Sequence, residues 1–315
     1  ANGRGGVGDL LDRDAVGLSA MLAAREVSAA EVMTETLARI DAVNPGVNAL
    51  VSMKGADWCL EAARAADRSP RQGWLHGLPL AVKDLSDAAG LPTSMGSPLF
   101  HGHVAAKNAL FVGRMKAAGG IVIGKTNTPE FGLGSHTVNP VFGATRNPWD
   151  PGRSAGGSSG GAAVAVVTGM LAVADGSDMM GSLRNPAGWN NLYGMRPTWG
   201  LVPGEPEGES FLHQLSTAGP MARTPRDLAA LLATMSGPDP RLPHGLPAYP
   251  GGELDRDPAG LRIGWLADWD GAFAMEDGIL DTCEAALRAM QDMGITVEAL
   301  PAPFDRDRLW DAWTT

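Results

Sequence analysis

The chain reads as an α/β protein, with a mixed, largely parallel central sheet flanked by helices, on three observations. From residue 75 onward short apolar runs alternate with stretches of helical character, the pattern of strands and helices layered on a shared core. Helix-start signals stand before two of the helical stretches. An Ala/Val-rich, nearly featureless segment, 162–174, lies between two glycine-bearing turns and suits a tightly packed buried helix.

Taken in order, residues 1–45 read as two helices. The second is announced by Ser28-Ala29-Ala30-Glu31, a capping box in which the Ser and Glu side chains satisfy each other's backbone N–H groups, and it ends near Asn44-Pro45-Gly46. Residues 78–82 read as a strand, 108–118 as a helix and 120–123 as a second strand. Residues 200–216, rich in Gly, Pro and Glu, read as a surface loop. Thr224 then caps a helix whose first position is Pro225, where a missing N–H costs no hydrogen bond, and which runs to about Met235. Residues 238–258 hold six prolines and read as an extended connector. Beyond it, 261–266, 276–293 and 295–300 read as strand, helix and strand. The expected organisation is a helical segment over 1–72, a core over 73–237, a proline-rich connector over 238–260 and a smaller lobe over 261–315.

Of 315 residues, 44% are hydrophobic and 19% charged, which suits a globular protein with one large core or two modest ones. A net charge of −10 argues against a nucleic-acid partner. No apolar run reaches the ~18 residues that would make a membrane span a candidate. The start, Ala1-Asn2-Gly3-Arg4-Gly5-Gly6, lacks the apolar stretch of a secretion signal and reads as a mobile leader or a processed end. Cys59 and Cys283 make no disulfide framework, so a reducing cytoplasm is the expected location.

The chemistry is concentrated in two turns. Ser158 and Ser159 sit in Gly156-Gly157-Ser158-Ser159-Gly160-Gly161, and Ser182 follows Gly181. Glycine lets backbone amides crowd a reacting atom, and converging amides are what a developing oxyanion needs. These turns are therefore the place to look for a nucleophile. A serine hydroxyl is a poor one until a base takes its proton. Lys83 closes the apolar run 78–82, where desolvation favours the neutral amine. Moving a lysine from about 10.4 to near 7 corresponds to roughly 4 to 5 kcal/mol. Asp178 and Arg184 read as a structural ion pair buttressing the second turn, and Thr126 as a supporting hydroxyl or a cap for the nearby Thr128-Pro129.

Two other motifs compete. Gly119-Gly120-Ile121-Val122-Ile123-Gly124-Lys125-Thr126 satisfies the phosphate-loop pattern, but Ile121-Val122-Ile123 is itself strand-like where a flexible loop is required. Gly157-Ser158-Ser159-Gly160-Gly161 fits the nucleophile elbow of an α/β-hydrolase-type esterase, with Ser159 as nucleophile and a later Asp and His. His213 and His244 lie in polar, proline-bearing stretches, and His136 in a Gly/Ser loop, where hydrogen bonding to the surroundings is the expected role.

Four blocks in order, Gly77-Leu78-Pro79-Leu80-Ala81-Val82-Lys83-Asp84, Gly124-Lys125-Thr126-Asn127-Thr128-Pro129-Glu130-Phe131, Gly143-Ala144-Thr145-Arg146-Asn147-Pro148-Trp149 and the serine region through Arg196-Pro197-Thr198, make the chain resemble the amidase signature family. Its members are serine hydrolases that cleave carboxamides with a Ser-Ser-Lys triad. The resemblance implies Ser182 as nucleophile, Ser158 as a bridging serine reached through a cis peptide, Lys83 as base, and an oxyanion hole from the amides of Met179, Met180, Gly181 and Ser182. It implies no metal and no cofactor, a small-molecule amide as substrate and, as an alternative, a component that works with partners to deliver ammonia for transamidation, or an inactive relative. A homodimer is compatible with it.

Two features depart from the family pattern. Met180 stands where the family usually has the first of two glycines, so an ordinary φ is expected there, because a side chain at φ > 0 is strained. Met179 and Met180 suit either an apolar acyl pocket or core filling. The chain is also shorter than family members and stops at Trp310-Asp311-Ala312-Trp313-Thr314-Thr315, in what reads as the middle of an amphipathic helix. A C-terminal part, expected to supply strands and one wall of the substrate pocket, is thus expected to be missing.

Overall fold

The computed structural model describes residues 10–205, 214–251 and 254–315; Ala1 to Gly6 and His213 lie outside them. Two units divide it, Ala1–Gly252 and Glu253–Thr315. In the first, α1 (Ala15–Ala24) starts at Asp14, whose carboxylate accepts the Gly17 N–H, and α2 (Ala29–Val47) starts at the Ser28/Glu31 capping box. α2 runs one residue past the expected stop, into Val47, and ends at Asn48 in the left-handed region. There the Asn44 side chain accepts the N–H groups of Ala49 and Leu50 and leads the chain into β1 (Leu50–Val51).

α3 (Ala56–Arg68), β2 (Pro79–Lys83), α4 (Leu110–Ala117) and β3 (Ile121–Thr126) come next. β3 is the centre of a three-stranded sheet, parallel to β2 and antiparallel to β1. Successive side chains of β2 and β3 point to opposite faces, so Ala81, Ile121 and Ile123 join one core cluster while Leu80, Val82 and Val122 join the other. A short hairpin, β4 (Val138–Asn139) with β5 (Gly143–Ala144), precedes α5 (Gly160–Val167). Beyond α5 lie β6 (Val173–Asp178), α6 (Arg184–Trp189), β7 (Tyr193–Gly194), β8 (Thr217–Ala222) and α7 (Pro225–Met235). In the second unit β9 (Arg262–Trp265) and β10 (Thr296–Ala299) pair in parallel around α8 (Ile279–Asp292), and α9 (Arg306–Thr314) closes the chain. No helix among the described residues is long and apolar enough to cross a membrane.

The mixed α/β class holds, but the largely parallel sheet does not. Among the described residues only β2–β3 and β9–β10 are parallel, whereas β6, β8 and β7 form a second, wholly antiparallel sheet. The two three-stranded sheets adjoin at β2 and β6 without a ladder, because the Asp175 side chain of β6 takes the Lys83 N–H that a neighbouring strand would have used. The segment 162–174 is likewise not one helix. α5 stops at Val167, Gly169 turns the chain at φ 72°, and β6 begins at Val173. The 1–72 segment is part of the same unit as the core: β1 pairs with β3, and Asp227 of α7 accepts the first amides of α1 at 3.0 and 2.8 Å. Residues 238–251 are docked, not extended. The Arg114 guanidinium binds the carbonyls of Met235, Ser236, Gly237 and Pro238, and Leu246 N–H reaches the Gly200 carbonyl at 3.0 Å. The boundary falls after Gly252 for that reason.

α5 is the axis of the core, with Ala162 to Val166 fully buried. Its entry is tight. A Cβ on Gly161 would meet the backbone of Asn127 and, at 2.6 Å, the Ala49 carbonyl oxygen, neither able to yield as a side chain would. Gly161→Ala is therefore expected to lower unfolding free energy by about 2 to 3 kcal/mol, the upper range for overpacking. Urea unfolding followed by circular dichroism measures it.

Candidate active site

Every residue of β2 is buried, and the strand delivers Lys83 into the interior at 0% exposure. Its Nζ donates to three hydroxyls, Ser158 Oγ at 2.7 Å, Ser159 Oγ at 2.8 Å and Ser177 Oγ at 3.0 Å. Burial pushes the Lys83 ammonium down to about 7, against the opposing pull of the Asp175 and Asp178 carboxylates. Near neutral pH a large share of the amine is thus uncharged, the state in which it accepts a proton.

Ser158 and Ser159 lie in the turn that enters α5, and the Gly157–Ser158 peptide is cis. Both are buried. The Ser159 hydroxyl is fully engaged: it accepts from Lys83 and from the Ser177 N–H and donates to the Ser177 carbonyl at 3.3 Å. Its backbone N–H donates to the Ser182 carbonyl at 3.2 Å, joining the two serine turns. Ser182 is half-buried just before α6. Its hydroxyl is not a partner of Lys83, and no hydrogen bond joins it to Ser158. The structure thus brings Lys83 and Ser158 into direct contact, with Ser182 tied in through its backbone.

Asp178 organises the turn around Ser182. Its carboxylate accepts the N–H groups of Gly181 at 2.7 Å, Leu183 at 3.2 Å and Arg184 at 3.4 Å, and takes the Arg184 side chain at 3.0 Å through both Nε and Nη2. Although burial works to raise it, the Arg184 guanidinium and these amides hold Asp178 below the usual carboxylate value. The Gly181 amide, expected in the oxyanion hole, is therefore turned onto Asp178. The amides of Met179, Met180 and Ser182 have no hydrogen-bond partner among the described residues. Met180 has an ordinary φ and Gly181 takes φ 108°. Met179 and Met180 are 47% and 57% exposed, which removes core filling as their role. Asp178→Ala would strip three amides of their acceptor and is expected to cost about 3 kcal/mol of stability. Arg184→Ala, at a side chain 55% exposed, is expected to cost no more than about 1 kcal/mol; thermal unfolding of the pair checks the ratio.

Other candidates fall elsewhere. Thr126 stands opposite Lys83 in the β2–β3 register, but its hydroxyl is buried with no hydrogen-bond partner, so it neither supports the triad by a hydrogen bond nor caps the Thr128-Pro129 segment. The phosphate-loop reading fails because its lysine is interior to β3: Lys125 Nζ binds the Ser86 carbonyl at 2.5 Å and Thr93 Oγ1 at 3.1 Å and pairs with Asp84 at 3.7 Å. His136 bonds Ser154 Oγ at 2.8 Å and His244 packs on the Trp199 ring; neither is a partner of Ser159. Among the described residues no group of three His, Cys, Asp or Glu side chains is arranged to hold a metal ion. Sequence reasoning missed Asp175 and Ser177. The available signal was the pair Asp175 and Ser177 at i and i+2, directly after an apolar run, hence on one face of a strand.

A family model described as Amidase matches residues 31–312. A glutamyl-tRNA(Gln) amidotransferase subunit of Acidothermus cellulolyticus is 41% identical over 303 residues, covering 94% of this chain and 59% of that protein. The acylamidase of Rhodococcus erythropolis is 36% identical, covering 90% of this chain and 61% of that protein. Among solved structures, a bacterial aryl acylamidase of the amidase signature enzymes superposes with a TM-score of 0.86 at 32% identity, over 96% of this chain and 64% of that one. The peptide amidase of Stenotrophomonas maltophilia gives 0.80 at 31% identity, over 92% and 62%. The chain spans about three fifths of the length of these relatives.

Proposed function

Because the chain belongs to the amidase signature family, we propose that it cleaves the C–N bond of a carboxamide through a seryl acyl-enzyme, with Ser182 as nucleophile, Ser158 as the bridging hydroxyl and neutral Lys83 as base. The observation that carries this reading is the buried Lys83 amine, 2.7 Å from the Ser158 hydroxyl and brought to about 7 by burial.

Lys83 takes the Ser158 proton as Ser158 takes that of Ser182, and Ser182 Oγ attacks the carbonyl carbon. Charge develops on the carbonyl oxygen beside the unpartnered amides of Met179, Met180 and Ser182. Collapse breaks the C–N bond, and the proton held by Lys83 returns through Ser158 to the leaving amine. Water then attacks the acyl ester, delivering its proton along the same path, and the acid departs with Ser182 restored. The Ser158–Ser182 link is open in the free chain; catalytic hydrogen bonds of this kind commonly tighten only when substrate is bound. Ser159 is a poor alternative nucleophile, since its proton is already donated to the Ser177 carbonyl.

A second reading is favoured by the 41% identity to an amidotransferase component: the same chemistry, exerted on an amide such as glutamine, would serve a partner chain. The test is a panel of primary amides, anilides, dipeptide amides and glutamine, assayed for amine release alongside labelling by a fluorophosphonate probe mapped by peptide mass. The expected result is an adduct on Ser182 and turnover of at least one amide. An adduct on Ser159, or none, overturns the proposal; turnover of glutamine confined to partner-containing mixtures selects the second reading.

A further inference from the structure

Among the buried ionisable groups that the proposed mechanism leaves unused, Asp175 is the one whose side chain binds the backbone of the lysine. Asp175 lies mid-strand in β6 at 1% exposure, on the same face as Ser177, and both of its carboxylate oxygens stand 3.3 Å from the Lys83 backbone N–H. Satisfying one amide does not require a charge. A buried carboxylate without a full ionic partner is costly, and burial pushes Asp175 up to about 6 even though Lys125 and Lys83 favour its ionised form.

The surroundings are otherwise sparse in charge. β8 places Pro220 opposite Asp175, and neither β8 nor α5 carries a charged residue. Asp227 of α7 is taken by the amides of Ala15 and Val16. Asp178, on the same strand, faces Arg184. Asp84 and Asp87, beyond the end of β2, favour the charged form of Lys125, as Asp175 does. The charged groups left to Asp175 are thus the two buried lysines of β2 and β3.

We infer that Asp175 is a positioning residue of the base: its carboxylate anchors the end of β2 through the Lys83 amide, and its charge, shared between Lys83 and Lys125, sets how readily the Lys83 amine binds a proton. This rests on Lys83 being the base. Burial alone favours the neutral amine without limit, and an amine that binds protons too weakly is a poor acceptor, since a general base works best when matched to the operating pH. The carboxylate opposes burial and keeps the amine basic.

The experiment measures the rate of fluorophosphonate labelling at Ser182 against pH, in the 315-residue chain and in Asp175→Asn, which retains an acceptor for the Lys83 N–H. The wild-type rate is expected to fall on the acid side of about 7. In Asp175→Asn that limb is expected to move to lower pH by roughly one unit, the size of a unit-charge interaction over several Å at an effective dielectric of ~20 to 40. A limb that stays in place, whatever happens to the rate above it, overturns the inference and leaves the proposed function standing. Should Asn not fold, Asp175→Ser and Asp175→Leu remove the same charge. If no neutral residue gives a cooperatively unfolding chain, position 175 is structural and the inference fails. Absence of wild-type labelling at every pH removes the proposed function and this inference together.

Discussion

Ser182→Ala is expected to abolish fluorophosphonate labelling and to lower amide hydrolysis by roughly ten-thousand- to million-fold, the range seen when a serine hydrolase loses its nucleophile. Ser159→Ala is expected to do far less, since Ser159 acts on Lys83 and Ser177 through hydrogen bonds and its own proton is occupied. The contrast matters more than either value. Both serines lie in glycine-bearing turns joined by the bond from the Ser159 N–H to the Ser182 carbonyl, only Ser159 touches the amine in the free chain, and the identity of the attacking oxygen separates the two mechanisms. Ser182 is half-buried, next to two exposed methionines and the unpartnered amides, so a carbonyl carbon can approach it. Ser159 is fully buried. Equal loss in the two variants, or the reverse order, would refute the assignment.

Lys83→Met is expected to lower kcat/KM by about 100- to 10,000-fold, the usual share of a general base, and to remove the acid limb of the rate profile. With the neutral amine as the active form in the proposed mechanism, kcat/KM of the wild type is expected to fall tenfold per unit below about 7 and level off above it. Stability carries the same signature. The folded value lies below the ordinary lysine value of 10.5, so between about 7 and 10.5 the unfolded chain holds a proton that the folded chain does not, and stability rises with pH across that window. Asp175, raised from 3.8 to about 6, acts oppositely, its cost growing as pH rises from about 4 to 6. Lys83→Met should erase the alkaline rise, and below pH 7 relieve a penalty of the order of 5 kcal/mol that lost hydrogen bonds to three serines partly offset. Thermal unfolding across pH reads the change: a variant whose alkaline rise persists would mean that Lys83 is not the group responsible.

Much of this was legible in the sequence where the signal was local. Ser28 and Glu31 announced α2 because a capping box is a short-range hydrogen-bond pattern, and Thr224-Pro225 announced α7 for the same reason. Lys83 was legible as a candidate because five apolar or small residues lead the chain inward before it. The misses were non-local. In the Ala/Val-rich run no period separates buried helix from buried strand, and only Gly169 marks where α5 ends. β8, Thr-Ala-Gly-Pro-Met-Ala, contains a proline that ordinarily argues against a central strand. Pro220 is tolerated because β7 ends at Gly194, and the Pro220 carbonyl still accepts the Met195 N–H at 3.2 Å. Gly181 was expected to aim its amide at substrate, but Asp178, three residues earlier, is a nearer acceptor. Asp175 escaped notice since its meaning depends on lysines 92 and 50 positions away, which the pairing of β2 with β3 and its contact with β6 bring together.

The backbone bond from Ser159 to the Ser182 carbonyl makes the two turns a single mechanical part. Epistasis across them is the consequence: a change that shifts one turn redirects the other, so the effects of paired substitutions should not sum. A library that randomises the Ser182 turn alone would explore shapes its partner turn forbids, and productive variants should be sought by diversifying both turns together.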